Sequence, residues 1–443
     1  MSQRTEELPA KFHGAVINWR EAYLPDFPLL MESWEKFFPT EPKFKLCAFR
    51  QLGMCTTIEC GEHTGKPKYQ KAGEMAPETA HHLYGAIRAQ ASTEFGSIQQ
   101  HRLTLARAQN EEEQFWVLRM MAEELRHGYQ MLHLLAGDDW SNVTSESTEQ
   151  MIEGILSMNT GSHLLSAFNI DFDSFVDSVV FCGLIDRVGK YQLSMQKVSA
   201  YQPMAESMPR MLQEEAFHLA AGVVPMRRWV TRAAAGDVTI TVSALQKTIN
   251  KWLQRGLEMF GDERGGASNV KMGLKPLKNY EAQQQYRDEV GKLVRDLNMR
   301  HLRARVPSLS IGEAEKTLDR ILAGEVLEGI GRDDLLRLPH ADFFRRRGAP
   351  AFTMIGRDGE KFDDVVAYAK HLAQNLPEPY LANRDFSEYL DLLGQVTRGE
   401  TTAEAAGAKS PTLRRVGGAC PCSKAVRWVV DDPTPASPVL VGA

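Results

Sequence analysis

The sequence has few cysteines, no excess of basic residues and no long apolar run. Six cysteines are spread over 443 residues, which is too few for a disulfide framework and indicates a reducing compartment. The formal net charge is −5, whereas nucleic-acid-binding proteins usually carry a basic excess. Apolar runs such as VVFCGLI at 179–185 are far shorter than the ~20 residues of a membrane span. The N-terminal MSQRTEELPAKF lacks the apolar stretch of a signal peptide. We therefore expect a cytoplasmic protein that binds neither nucleic acid nor membranes.

Motifs for carrying electrons are also missing from the sequence. It contains no four-cysteine spacing for an iron–sulfur cluster and no GxGxxG that opens a βαβ unit. Any reaction here that consumes electrons therefore needs a separate reductase.

Helical periodicity dominates the chain from about residue 76. The region before it mixes aromatic residues with turn signals and is expected to contain irregular structure and short elements. The predicted long helices cover 76–109, 111–137, 174–198, 205–235, 243–261 and 280–303, with one short helix within 138–161.

The connecting segments carry their own signals. Pro203 and Pro209 are expected to bracket the start of the helix at 205–235. The segment 261–273 predicts a Gly-rich loop, and 352–363 predicts a hairpin with a turn at Arg357-Asp358-Gly359.

These elements predict a mainly α fold with a four-helix core and at most a small hairpin. The expected divisions are an N-terminal region at 1–75, the helical bundle at 76–240, a helical extension at 241–408 and a flexible tail at 409–443.

Two helices each carry a Glu-x-x-His pair, Glu124/His127 and Glu215/His218. A spacing of three residues puts both side chains of a pair on one helix face. A lone carboxylate precedes each pair in the preceding helix: Glu94 lies 30 residues before Glu124, and Asp186 lies 29 residues before Glu215.

This repeated spacing predicts a metal centre. In two antiparallel helices joined by a short turn, residues about thirty apart lie level with each other near the helix centres. Two such hairpins would converge four carboxylates and two imidazoles inside a bundle. That set of ligands is typical of dinuclear iron or manganese carboxylate proteins.

Other interpretations remain open from the residues alone. A single Glu-x-x-His match also fits an acid–histidine pair in solvent, and Asp186 also fits a core residue paired with Arg187 or Lys190. A storage protein or a degenerate scaffold would be non-enzymatic alternatives, although storage needs only one bundle. A radical generator would need a tyrosine beside the metal, and the nearest, Tyr129, is expected on a different face.

The sequence resembles the oxygenase family of benzoyl-CoA epoxidases and, more distantly, the catalytic subunits of phenylacetyl-CoA epoxidases. The resemblance covers about residues 12–395. It is carried by GEHTGKPKY, STEFGSIQQHRL, EELRHGYQMLHLL, LIDRVGKYQL and MLQEEAFHLAAG.

The resemblance implies a ferritin-like core, two iron ions and O2 as co-substrate. The ligand positions it implies are Glu94, Glu124, His127, Asp186, Glu215 and His218. The implied reaction is epoxidation of the ring of an aryl-CoA thioester, with benzoyl-CoA as the first candidate. A separate NADPH-dependent flavin and iron–sulfur reductase and a homodimer are also implied. An oxygenase acting on a non-CoA aromatic compound is the alternative.

Further residues are candidates for supporting roles. We expect catalytic roles for Glu94, Glu124, Glu215 and for Gln90, which lies one turn before Glu94 on the same face. Glu123, Glu214, Arg126 and Arg187 could orient the histidines. The neighbouring aromatic residues Phe95, Phe115, Phe181 and Phe217 fit core packing better than an aryl pocket. The basic clusters 301–307 and 343–350 could bind CoA phosphates, but they fit solvated faces better, and Cys420 and Cys422 are expected as free thiols.

Overall fold

The computed structural model describes residues 2–237, 239–261, 263–346 and 353–408. Within these ranges the protein is mainly helical, as predicted. The first eight helices are α1 Ala10–Tyr23, α2 Phe27–Phe37, α3 Pro77–Leu105, α4 Glu111–Ala136, α5 Thr148–Leu156, α6 Phe175–Gln196, α7 Gln202–Ala234 and α8 Val242–Met259. The next seven are α9 Glu263–Lys271, α10 Asn279–Arg305, α11 Ile311–Leu322, α12 Val365–Asn375, α13 Glu378–Leu381, α14 Arg384–Thr397 and α15 Ala403–Ala408. Short 3-10 helices cover Ala72–Glu74, Ser166–Asn169 and Arg332–Asp334.

Helices α3, α4, α6 and α7 form the four-helix bundle. Consecutive helices pack as two hairpins, α3 with α4 and α6 with α7, and the hairpins contact each other through α4–α7 and α3–α6. Helix α4 begins where Asn110 accepts a hydrogen bond from the Glu113 N–H, and its first turn carries three glutamates that suit the positive helix end. The predicted fold class, a ferritin-like bundle with extensions, is confirmed.

The N-terminal region is more regular than predicted. It contains the helices α1 and α2 and a strand, β1 Gln3–Glu6, which pairs antiparallel with β2 Ala48–Gln51. The region is fixed to α4, because Leu8 N–H donates to the Tyr129 hydroxyl (2.7 Å) and Phe49 N–H donates to Gln130 Oε1 (2.6 Å). The irregular sequence signals therefore reflect short elements that are held by the bundle.

The C-terminal helices share an apolar core with the second hairpin. Helix α8 packs on α6, and α10 packs on α7. Phe181 and Val188 of α6 lie in one buried cluster with Trp252 of α8 and Tyr286 of α10. The division of the chain at residues 75, 240 and 408 stays a prediction.

Three local predictions need correction. The segment predicted as a Gly-rich loop, 261–273, contains helix α9. Gly266 in this helix packs against Asn279 and leaves no room for a larger side chain. Helix α7 begins at Gln202, and Pro203 lies in its first turn, where proline is well tolerated. Pro209 lies inside the helix and not before it. In the predicted hairpin, the described part forms only a turn with a single bridge between Ile355 and Lys361.

Two further expectations concern the C-terminal tail and membrane-spanning helices. The predicted tail at 409–443, with Cys420 and Cys422, lies outside the described residues. Among the residues that are described, no helix is long and apolar enough to span a membrane.

Candidate metal centre

The six predicted ligands lie at the middle of the bundle. Glu94 comes from α3, Glu124 and His127 from α4, Asp186 from α6, and Glu215 and His218 from α7. All four helices therefore contribute, as the repeated spacing requires. All of these side chains are buried except Glu94, which is partly exposed.

Their polar atoms form two adjoining groups. Atoms of Glu94, Glu124 and His127 lie within 4.8 Å of one another, and so do atoms of Glu124, Asp186 and His218. Glu124 belongs to both groups, with one carboxylate oxygen 3.3 Å from His127 Nδ1 and the other 3.7 Å from His218 Nδ1. A carboxylate between two groups of ligands is the arrangement in which one side chain can bridge two metal ions.

Three of these buried atoms, Asp186 Oδ2, Glu215 Oε2 and His218 Nδ1, make no well-aligned hydrogen bond among the described residues. Glu215 Oε2 and His218 Nδ1 lie 2.8 Å apart and form a close ion pair. Buried polar atoms are nearly always partnered, and leaving them unsatisfied is costly. Carboxylate oxygens and imidazole nitrogens that face one another in this way fit a hard transition-metal ion.

Asp186 is not part of an ion pair with its neighbours in sequence. Lys190 binds Glu289, with its Nζ 3.0 Å from Oε1, and Arg187 also binds Glu289. The alternative of a core aspartate paired with these two residues therefore does not describe this site.

The charges of the site are unfavourable without a cation. Burial raises the pKa of Asp186 well above its usual value, and the nearby Glu215 and Glu124 carboxylates raise it further. Burial also raises the pKa of Glu215, and burial together with Glu94 raises that of Glu124. The site thus resists holding its acids ionised unless positive charge is supplied.

Each histidine is oriented by a glutamate from the other hairpin. His127 Nε2 lies 3.0 Å from Glu214 Oε2, and His218 Nε2 lies 3.2 Å from Glu123 Oε2. Both Nδ1 atoms are therefore left to face the carboxylates at the centre. A histidine that binds metal commonly uses its other ring nitrogen in this way.

Arg126 connects these two glutamates. Its guanidinium lies 2.6 Å from Glu214 Oε1 and 3.5 Å from Glu123 Oε1. Burial opposes ionisation of Glu214, but Arg126, His127 and Arg210 outweigh it and lower its pKa to about 2.

The geometry agrees with the expected orienting role for three of the four residues proposed from the sequence. Glu123 and Glu214 contact the histidines directly, and Arg126 acts through them. Arg187 was expected to act similarly and does not. Its Nε donates to the Gly183 carbonyl (3.0 Å) and its other end binds Glu289.

A cavity of about 390 Å³ opens beside the carboxylates. Glu94, Glu124, Asp186 and Glu215 line its inner end. Polar residues, including Lys275, are also part of its wall. Its volume lies in the range of cavities that bind small molecules.

Gln90 lies in this cavity, as expected from its position on α3. Its Nε2 donates to Glu94 Oε1 (3.2 Å), and its Oε1 has no hydrogen-bond partner within the described ranges. The amide oxygen of Gln90 therefore accepts no hydrogen bond from the described residues.

Comparison with known proteins identifies the family. Residues 69–315, which contain all six predicted ligands, match the family described as phenylacetic acid catabolic protein. The chain belongs to this family. Benzoyl-CoA oxygenase component B of Aromatoleum evansii is 26% identical over 352 residues, and the match covers 71% of each chain. The relationship predicted from the sequence is thereby confirmed.

The aromatic residues of the cavity were not found from the sequence. Its wall contains Phe168 and Phe260, which are distant in sequence from every ligand. Phe95 instead packs edge-on against Trp19, in agreement with a core role. No periodic signal marks Phe168, because it lies in a connection with only a short 3-10 helix.

The second basic cluster, 343–350, contains a buried arginine. Arg346 is 1% exposed and binds Asp385, so its charge is neutralised inside the protein. The rest of the second cluster, from residue 347, lies outside the described residues.

Proposed function

We propose that this protein is an oxygenase that holds two iron ions and epoxidises the aromatic ring of an aryl-CoA thioester. The observation that carries the proposal is the convergence of four carboxylates and two imidazoles at the end of a substrate-sized cavity. Family membership and the name of the Aromatoleum evansii relative favour benzoyl-CoA as the substrate.

The iron ions would supply the activation of dioxygen. The chain's own residues would hold them: Glu124 reaches both groups of ligands, and Glu123 and Glu214 orient the two imidazoles with Nδ1 directed inward. Gln90 lines the cavity and donates a hydrogen bond to Glu94, so it would position that carboxylate beside a bound substrate.

The reaction needs electrons from outside the chain. One ring C=C bond, one O2, two electrons and two protons give one epoxide and one water. The sequence offers no iron–sulfur or dinucleotide-binding motif, so a separate NADPH-dependent reductase is the proposed donor. The homodimer implied by the resemblance stays a prediction.

The cavity suits the aryl part of such a substrate. Phe168 and Phe260 provide apolar contact for a ring. The CoA moiety is larger than the cavity and would remain outside it.

The first experiment is measurement of iron in protein expressed with iron. About two irons per chain are expected, with a sharp fall in Glu124→Ala and Glu215→Ala. Glu112→Ala, at an exposed position of the same helix as Glu124, is the matched control and should keep its iron. Well-folded wild-type protein without bound metal would reduce the site to acid–histidine pairs and end the proposal.

The second experiment identifies the substrate. Reductase, NADPH and labelled O2 are supplied with benzoyl-CoA or with free benzoate. One labelled oxygen atom in the CoA product only is expected. Turnover of benzoate alone would favour the non-CoA alternative.

A further inference from the structure

The carboxylate that belongs to both groups of ligands, Glu124, accepts a hydrogen bond from a buried serine. Ser97 Oγ on α3 donates to Glu124 Oε1 on α4 at a distance of 3.0 Å. Ser97 is buried, so little water competes for either partner. A hydrogen bond to an ionised acceptor is stronger than one between neutral groups, and a low local dielectric strengthens it further.

This contact differs from the usual behaviour of a hydroxyl inside a helix. Serine and threonine in helices often donate to a carbonyl of the preceding turn. Thr93 does so in α3, with its Oγ1 2.7 Å from the Gln90 carbonyl oxygen. A hydroxyl has a single proton to donate, and Ser97 directs it across to the next helix. The side chain therefore acts on Glu124 and not on its own helix.

The hydrogen bond distinguishes the two oxygens of Glu124. Oε2 lies 3.3 Å from His127 Nδ1, whereas Oε1 lies 3.7 Å from His218 Nδ1. Ser97 contacts Oε1, the oxygen on the side of the second hairpin. It therefore favours the rotation of the carboxylate that gives one oxygen to each group of ligands.

The second hairpin lacks the equivalent support. Ser97 follows the lone carboxylate of α3 by three residues, and the residue at the same position after the lone carboxylate of α6 is Gly189. Glycine has no side chain that could donate, and a side chain there would collide with Glu215 Oε1. The two repeats thus place their ligands at matching positions, but only Glu124 is held by a hydroxyl from the lone-carboxylate helix.

We propose that Ser97 is a positioning residue, whose hydroxyl holds Glu124 in the orientation that allows this one carboxylate to serve two metal ions. The inference rests on the proposed metal centre and deepens it. Ser97 acts through Glu124 and is not itself a ligand. Loss of the hydroxyl should therefore weaken binding of the ions as a pair, while each remaining ligand stays in place.

Manganese is a suitable probe, because the electron paramagnetic resonance spectrum of Mn²⁺ distinguishes a single ion from two ions coupled through a shared ligand. Full-length protein without iron is titrated with Mn²⁺. We expect the wild type to give the coupled spectrum when two ions are bound. In Ser97→Ala the second ion should bind about tenfold more weakly, and more of the single-ion signal should be present at the same loading.

Ser92→Ala is the matched control. It also removes a buried hydroxyl from α3, one that contacts His163 Nδ1 (3.2 Å) and the Leu164 N–H (3.1 Å). The loss of these hydrogen bonds should lower Tm at least as much as Ser97→Ala does, yet binding of Mn²⁺ should stay as in the wild type. An equal loss of the second ion in Ser92→Ala would make the effect a general weakening of α3 and overturn the proposal.

A second pair of variants isolates the hydroxyl. Ser97→Thr keeps it, whereas Ser97→Val has nearly the same shape as that variant without it. The threonine substitution should bind the pair of ions like the wild type, and the valine substitution should behave like Ser97→Ala. This pair keeps the test decisive if Ser97→Ala does not fold.

The outcomes separate this inference from the proposed function. Wild-type affinity and coupling in both Ser97→Ala and Ser97→Val would overturn the positioning role and leave the metal centre in place. Wild-type protein that binds no ion would overturn the centre and this role together. Absence of an aryl-CoA product, with the expected manganese results, would overturn only the substrate assignment.

Discussion

Replacing Asp186 with asparagine should stabilise the metal-free protein and destabilise the iron-loaded protein. The substitution keeps the shape of the side chain and removes its charge. In the absence of metal, Asp186 is 6% exposed and adjoins Glu124 and Glu215. With metal bound, the same carboxylate would be a ligand.

The size of the effect follows from the geometry. Ligand atoms of Asp186 and Glu124 lie within 4.8 Å of each other, and two ionised carboxylates at that separation repel by ~3.5 kcal/mol at an effective dielectric constant of ~20. Proton uptake relieves part of this repulsion, since burial raises the pKa of both groups. We therefore expect the metal-free variant to gain about 1–3 kcal/mol.

Metal binding reverses the order. An ion present at a hundredfold excess over its dissociation constant contributes about 2.7 kcal/mol of stability, and two ions contribute about twice that. The variant should lose most of this contribution, because it lacks one ligand.

The assay is thermal unfolding with chelator and with anaerobic ferrous iron. For 443 residues, 1 kcal/mol corresponds to about 1 °C in Tm. Asp186→Asn should therefore melt about 1–3 °C above the wild type with chelator and several degrees below it with iron. Asp363→Asn, at an exposed position, serves as the control and should shift neither. A variant less stable than the wild type under both conditions would refute the reasoning and make Asp186 a structural core residue.

Three further predictions concern the site and its surroundings. A Cβ at Gly189 would lie 2.3 Å from Glu215 Oε1, so Gly189→Ala should displace that carboxylate. Metal titration should then show iron affinity lowered about tenfold or more. Gly85→Ala is the control and should leave iron affinity unchanged, because a Cβ there meets nothing within 4 Å. Glu214→Gln should lower iron affinity about 10–100-fold, because the orientation of His127 is lost; unchanged affinity would contradict the orienting role. Burial lowers the pKa of His163 to about 3, so the unfolded state binds a proton that the folded state does not, and stability should fall by about 2 kcal/mol between pH 7 and pH 5. Chemical denaturation should show a weaker pH dependence in His163→Gln, and an equal dependence would disprove the assignment.

The sequence predicts the centre of this protein better than its periphery. The convergence of the six proposed ligands could be predicted because residues about thirty apart in a helical hairpin lie level with each other, and residues such as Asp186 are unusual within apolar runs. Helix bounds follow for a similar reason, since Glu111–Glu113 and Gly137 mark the ends of α4.

The unpredicted features depend on contacts between distant segments. The pairing of β1 with β2 joins residues more than 40 positions apart, and neither strand has an alternating pattern strong enough to indicate it. Helix α9 was missed because glycine lowers helix propensity, whereas packing of Gly266 on Asn279 favours the close approach. Phe168 and Phe260 lie in the cavity wall because the fold brings distant segments together. Their spacing from the ligands along the sequence gives no sign of this position.

The exchange of glutamates between the hairpins has a consequence for how the protein matures. Neither hairpin contains a complete set of groups for its own histidine, because the partner of His127 Nε2 comes from α7 and the partner of His218 Nε2 comes from α4. During synthesis the first hairpin therefore emerges without the residue that will hold its imidazole. Metal uptake at the proposed centre would therefore require a chain that has folded through α7, because the first hairpin alone offers an incomplete site.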